Sequence, residues 1–373
     1  MVSGGGEGDV MDKQAGNGGA GPNPAHTPER EAYYERLSTG NMAPLWESLA
    51  GLVTPEPVTQ AEVAIWKYDE VRAQVMEAGE LITAEEAERR VIVLENPGLR
   101  GESRITPSMY AGLQLILPGE IARSHRHAAS ALRFIIEGNG AYTAVDGEKT
   151  IMREGDFVIT PSWTWHDHGN ESDEPMVWMD GLDVPLVNFL ETSFLEHYPE
   201  PEQPLTRPVG DALARYGEGV VPLGYANKTK TSPIFNYPYE RTREALEKMR
   251  KTEEWDACHG LKVQYVNPSN GDFAMPTMGT FMQLLPKGFK GSPYKSTDGT
   301  IFSPVEGTGR TYVGDRVLEW KKRDVFVIPS WLEHRHEADE DAVLFSFSDR
   351  PVQQKLGLWR EQRGNDPVSE YHS

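Results

Sequence analysis

Four histidines stand in two pairs of one form. His125 and His127 flank Arg126 in "SHRH", and His166 and His168 flank Asp167 in "WHDH". Along an extended strand, side chains alternate between faces, so both members of a pair point one way and the residue between them points the other. His125, His127 and His166 can therefore converge from two strands on one first-row divalent cation, for which neutral imidazole is a suitable ligand. Taken alone, the pairs also read as surface or interdomain histidines. Their surroundings favour the metal. Gly119 lies six residues before His125, Gly155 six before Pro161, and Asn170 four after His166.

The elements that must position these residues are short apolar runs broken by Gly and Pro. "YAGLQLILPG", "ALRFIIEG", "AYTAVDGEKT" and "DFVITPSW" read as strands, and "VDGEK" as a hairpin, because Asp-Gly accepts the positive φ angles of a tight turn. The block recurs. Pro107, Met109, Gln114 and Gly119 match Pro276, Met278, Gln283 and Gly288 at one constant offset, and "DFVITPSWTWHDH" matches "DVFVIPSWLEHRH". The chain thus carries two copies of one all-β module. In the second copy Tyr294 and Ser296 take the places of His125 and His127. Only His334 remains of the three ligand positions, so no metal is expected there, and His334 and His336 read as structural remnants.

The spacing resembles the cupin superfamily. Its first motif, G-x5-H-x-H-x(3,4)-E-x6-G, is met by Gly119, His125, His127 and Gly138. Its second, G-x5-P-x-G-x2-H-x3-N, is met by Gly155, Pro161, His166 and Asn170, with Trp163 at the internal glycine. The glutamate of the first motif is missing, because Ala131 and Leu132 fill its place. The resemblance therefore implies a bicupin, an all-β core of two jelly-roll barrels, with a three-histidine site and one open coordination face.

"SHRHAASALRFIIEG", "TPSWTWHDHGN" and "WMDGLD" together resemble bicupin ring-cleaving dioxygenases of the gentisate 1,2-dioxygenase family, relatives of which act on salicylate and 1-hydroxy-2-naphthoate. The resemblance spans roughly residues 30–360. It implies Fe(II) on His125, His127 and His166, with gentisate and O2 as substrates and maleylpyruvate as product. By position, it offers Arg89 and Arg133 as carboxylate clamps, since guanidinium binds carboxylate bidentately. An arginine inside the apolar run "ALRF" needs a partner in any case. Gln114 and Tyr110 are candidates to bind substrate. His168 is a candidate acid–base group touching substrate or oxygen, and Asp180 a carboxylate orienting His168 or a ligand histidine. Trp163 and Trp165 read as packing. A metal isomerase or decarboxylase fits less well without the glutamate. A non-enzymatic ligand-binding cupin fits less well with an intact triad.

Composition agrees with a globular protein: 38% hydrophobic and 25% charged residues, with no apolar run long enough for a membrane helix. A net charge of −20 repels nucleic acid and anionic membranes, so an anionic substrate needs local arginines. The single Cys258 fits a reducing cytoplasm, and no secretory signal is visible. Residues 1–26 read as a disordered tail, 27–95 as a helical segment, 96–185 as the metal-binding cupin, 186–266 as a linker with a helix, 267–351 as the degenerate cupin and 352–373 as a tail. "TPER", "TQAE" and "TAEE" read as helix starts. The family resemblance implies a homotetramer.

Overall fold

The computed structural model describes residues 27–226, 230–252 and 254–370, so the tail expected over residues 1–26 lies outside it. Two units separate within the chain, residues 1–56 and residues 57–373. The first contains helices Pro28–Thr39 and Leu45–Leu52. Thr27 caps the former, its side chain accepting from Arg30 N at 3.3 Å, with Pro28 at the first turn. The other two expected starts differ. Thr83 caps only the four-residue helix Ala84–Ala87. At Thr59 no helix follows: the hydroxyl accepts from Ala61 N at 3.1 Å, and the apolar "AEVAIW" goes on into strand Ala64–Trp66. A local turn and β-branched residues outweigh the capping pattern there.

The second unit holds two modules, each with an inner and an outer antiparallel sheet. In the first module the inner order is Asn236–Tyr237, Phe157–Thr160, Ala131–Glu137, Met176–Leu182, Tyr110–Ile116, Val91–Val93. Its outer order is Leu195–His197, Ile121–His127, His166–Asn170, Asn139–Val145, Glu148–Arg153. The second module repeats this plan from Leu261–Gln264 to Ser369–Glu370. Both inner sheets contribute to one buried cluster, in which Phe134 and Phe345 stack at 4.1 Å between ring centroids. Burying both rings between sheets contributes about 2 kcal/mol or more each.

The repeat is longer than the sequence reading, and its ends are traded. Strand Ala64–Trp66 precedes the first module yet pairs with Val325–Ile328 of the second. Strand Asn236–Tyr237 precedes the second module yet pairs with Phe157–Thr160 of the first. A helix follows each, Tyr68–Leu81 and Tyr239–Met249. Their opening N–H groups are caught alike. Tyr68 N donates to Asp324, and Tyr239 N to Asp156, both at 2.9 Å. The hydroxyls of the same tyrosines donate to Glu137 (2.8 Å) and Glu306 (2.6 Å), carboxylates that Arg72 and Arg243 also hold. Each helix is thereby tied to both modules. Residues 27–95 are thus not simply helical, and 186–266 not simply a linker. Strands of three and two residues are too short to display alternation. The Ser/Thr–Asp contacts are reciprocal too. Thr277 donates to Asp183 at 2.5 Å and Ser108 to Asp349 at 2.8 Å.

One buried carboxylate carries a cost that pH can reveal. Glu148, on strand Glu148–Arg153, is 1% exposed and accepts Ala212 N at 2.9 Å. Burial pushes its pKa from 4.5 up to about 7. An acid raised on folding destabilises once ionised, so stability falls as pH rises from the unfolded value through about 7 and stays reduced above it. Glu148→Gln keeps the acceptor for Ala212 and removes the charge. We expect it to raise stability by on the order of 2 kcal/mol at pH 8 and to be neutral at pH 4.5. Melting curves of both proteins at the two pH values check this; an equal gap at both would refute it.

Candidate active site

The strand Ile121–His127 and the strand His166–Asn170 pair with an irregularity between Ala122 and His125, so that His125 lies opposite His166. Such a bulge inserts an extra residue and re-aims the side chains beyond it. Beyond it the three rings meet. Centroids are 5.2 Å apart for His125–His127, 4.5 Å for His125–His166 and 4.9 Å for His127–His166, and one ring nitrogen of each lies within 4.8 Å of the others.

The donor set fits a divalent metal. His127 Nδ1 lies 2.7 Å from Ala129 O, and His166 Nδ1 lies 3.0 Å from Thr164 O. A carbonyl only accepts, so each Nδ1 carries the proton and each Nε2 keeps its lone pair for a ligand. Burial, with neighbouring positive groups, lowers all three pKa values: to about 2 for His125, to about 4 for His127, and well down for His166. The imidazoles are therefore neutral at ordinary pH, as metal ligation requires.

The opposite face of the ligand strand is clamped. Arg126 stacks between the rings of Trp163 (4.6 Å) and Trp165 (4.5 Å), and its Nε donates to Glu196 at 2.8 Å. Trp163 occupies the motif's glycine position with φ of 57°, a conformation costing a non-glycine residue about 1–2 kcal/mol. Its N–H donates to His127 O at 2.8 Å, which ties this turn to the ligand strand. Trp331 repeats the arrangement at φ 62°, with Lys295 4.6 Å over its ring. The reading of Trp163 and Trp165 as packing residues agrees with this clamp. Glycine at 155 meets a stricter demand: its φ is +86° and a Cβ would sit 2.7 Å from the Tyr239 ring.

The triad opens on a cavity of about 650 Å³, whose wall includes Arg89, Tyr110, Gln114, Arg133 and Asp180, with Val91, Leu182 and Phe189 as apolar surface. Arg133 is 3% exposed. Its Nη1 donates to Thr160 at 2.6 Å, and its Nε stands 3.5 Å from Asp180 Oδ1. Asp180 also accepts Trp178 Nε1 at 3.0 Å, and burial pushes its pKa up to about 6 against the pull of Arg133. Arg89 donates to the carbonyls of Glu88 and Arg123, and burial beside Arg133 lowers it to about 10. Arg104 and Glu102, also on the wall, pair with each other, so Arg89 and Arg133 against Asp180 leave the wall one positive charge in excess.

One expectation changes. Asp180 does not orient a histidine; it pairs with Arg133, its register partner on the neighbouring strand. His168 is not among the residues lining the cavity. It is fully buried, with Nδ1 2.9 Å from Thr143 Oγ1 and its ring 5.8 Å from that of His166. The same pair recurs as His336 and Thr311 at 2.8 Å in the second module, and His168 Nε2, on the face that carries His166, has no hydrogen-bond partner among the described residues. In that module Tyr294 packs edge-on to His259 (4.4 Å) and His334 (5.7 Å) at the ligand positions. The sequence reading missed the Arg126 clamp and the apolar wall. The run "LDVPLVNF" directly after the last strand was its visible signal.

Known proteins are similar to this chain over most of its length. The cupin-domain family matches residues 112–184. Gentisate 1,2 dioxygenase 1 of Aquipseudomonas alcaligenes is 59% identical over 340 residues, covering 91% of this chain and 98% of that protein. A gentisate 1,2-dioxygenase of Streptomyces sp is 37% identical, covering 89% and 94%. Among solved structures, the salicylate 1,2-dioxygenase of Pseudoaminobacter salicylatoxidans, in adducts with gentisate, superposes with a TM-score of 0.88 at 32% identity, covering 92% of this chain and 96% of that one. The match runs along nearly the whole sequence, and the chain belongs to the gentisate 1,2-dioxygenase family of bicupin dioxygenases.

Proposed function

We propose that the chain is an Fe(II)-dependent gentisate 1,2-dioxygenase. It cleaves the ring of 2,5-dihydroxybenzoate between carbons 1 and 2, and both atoms of O2 enter the product, maleylpyruvate. The observation that carries this reading is the excess positive charge of Arg89 and Arg133 beside a neutral, open histidine triad. His125, His127 and His166 would hold Fe(2+). The ion supplies coordination positions for the substrate's carboxylate and 2-hydroxyl and for O2, and a path for electrons from ring to oxygen.

The protein's own groups do the rest. Arg133, held from behind by Asp180 and Thr160, presents its remaining donors to the substrate carboxylate. Arg89 adds a second positive charge, compensating the repulsion expected from a −20 chain. Gln114 and Tyr110 line the ring's flank, and Val91, Leu182 and Phe189 exclude water from its apolar edge. The neighbours' printed substrates, gentisate, 5-aminosalicylate and 1-hydroxy-2-naphthoate, all carry a carboxylate beside a ring hydroxyl.

The test is O2 uptake by anaerobically iron-loaded protein with gentisate, salicylate, 5-aminosalicylate and 1-hydroxy-2-naphthoate. Gentisate is expected to give the highest kcat/KM, with one O2 consumed per maleylpyruvate formed. A preference for another panel member would reassign the substrate. No uptake with any of the four would end the dioxygenase reading for this chain.

A further inference from the structure

The second module has lost the triad but has not lost its charge. Val91, on the wall of the catalytic cavity, is the register partner of Gln114; in the repeat, Gln283 has Lys262 as its partner. Val184, on the same wall, opens the helix that follows Asp183; in the repeat, Arg350 opens the helix that follows Asp349. Two apolar positions have thus become cations. The change runs the other way deeper in, where Phe302 stands at the position of Arg133 and Tyr294 and Ser296 fill the ligand positions.

Lys262 and Arg350 face a cavity of about 800 Å³ that also includes Phe281 and Trp359. The two cations share one ring: Lys262 Nζ is 4.8 Å and the Arg350 guanidinium 5.9 Å from the Phe281 centroid. Arg350 also lies 3.9 Å over Trp359. Among the described residues, neither cation has a carboxylate in ion-pair contact. Most acids around the cavity contact other cations, although Asp256 and Glu361, which share Arg363, also act on Lys262 at longer range. Arg363 holds Asp256 (2.6 Å) and Glu361 (3.5 Å), Lys355 holds Asp272 (3.3 Å), and Arg360 holds Glu370 (2.8 Å), while Glu254 is exposed at the rim. Asp298, deeper in the barrel, accepts Trp359 Nε1 at 2.8 Å and offsets one of the two charges. Burial, together with Arg350, pushes Lys262 down to about 8 against the pull of Asp298, Asp256 and Glu361, so an anion in direct contact would further favour its charge.

We propose that this cavity is a second binding site, separate from the catalytic one, for a small aromatic carboxylate. The carboxylate meets Lys262 and Arg350, and the ring lies against Phe281 and Trp359. Recognition of this kind needs no metal, which accounts for cations where the catalytic module has valines.

Benzoate, which lacks the ring hydroxyls, is the probe. Calorimetric titration of the iron-loaded full chain is expected to give two equivalents per chain. Lys262→Val with Arg350→Val restores the residues of the catalytic module. It should weaken one equivalent by about tenfold or more and leave kcat/KM for gentisate within about twofold. Arg133→Met should weaken the other equivalent instead. Binding unchanged by the double valine substitution would overturn the proposal. Should that variant fail to fold, wild-type crystals soaked in 4-bromobenzoate decide. Bromine density against Phe281 and Trp359 supports the site, and density confined to the cavity beside His125 refutes it.

Discussion

His166→Ala is expected to abolish turnover and to strip the metal, with iron content below about a tenth of an ion per chain and kcat/KM down by at least about 10³-fold. Disturbing only the groups behind a ligand costs about 10–100-fold, and this change removes a ligand. Two imidazoles cannot close a facial set, and the ring that leaves is the one ligand supplied by the strand His166–Asn170. The fold should survive, because the core of the first barrel is built from Ile135, Met152, Val158 and Trp178 rather than from the triad. The repeat supplies an internal control. His334→Ala removes the corresponding ring of the second module, and iron content and turnover should stay within about twofold of wild type. Metal analysis of both variants beside O2 uptake checks the pair of outcomes. Equal metal loss in the two would contradict the assignment of the site to the first module.

Arg133→Met is the second large effect. Methionine keeps much of the apolar stem and removes the charge. Breaking a buried pair from one side costs about 3–5 kcal/mol, because the partner is left uncompensated. Here the partner can escape part of that cost: Asp180 already sits near 6, and without Arg133 it takes a proton at neutral pH. We therefore expect a moderate loss of stability, about 2 kcal/mol, and a loss of kcat/KM for gentisate of about 10²–10³-fold, mostly through KM. Adding Asp180→Asn separates the two. The double variant should regain stability, since no buried charge remains, and should regain no activity. Recovery of turnover in the double variant would show that Arg133 serves only to neutralise Asp180.

These outcomes rest on features that differ in how plainly the sequence displays them. The triad was legible, because the His-x-His pairs and the flanking glycines depend on local strand geometry alone. The need of Arg133 for a partner was legible as well. The identity of that partner was not. Asp180 lies 47 positions downstream in the chain and meets Arg133 only because Met176–Leu182 is its neighbour in the sheet. For His168, alternation places it on the same face of the strand as His166, but alternation carries no information about depth. One pair further along, the ring lies in the packing layer with Thr143. The early capping pattern at Thr59 misled for a similar reason, since it describes two residues of turn and nothing of the strand that follows. The traded strands were invisible, because their stabilising partners are supplied by the other repeat.

That trade sets an order of events during synthesis. Tyr68 and Asp324, which lock the first traded segment in place, are 256 residues apart. At translation speeds of about 5–20 residues per second, the segment around Ala64 waits tens of seconds on the ribosome before its partner strand exists. The first module waits as well, though more briefly, for Asn236–Tyr237 to seal its open edge. Neither barrel is finished when its own residues have emerged. A nascent chain stalled near residue 200 would present one uncovered sheet edge, at Phe157–Thr160, and one unpaired strand segment, Ala64–Trp66, both able to pair with other nascent chains.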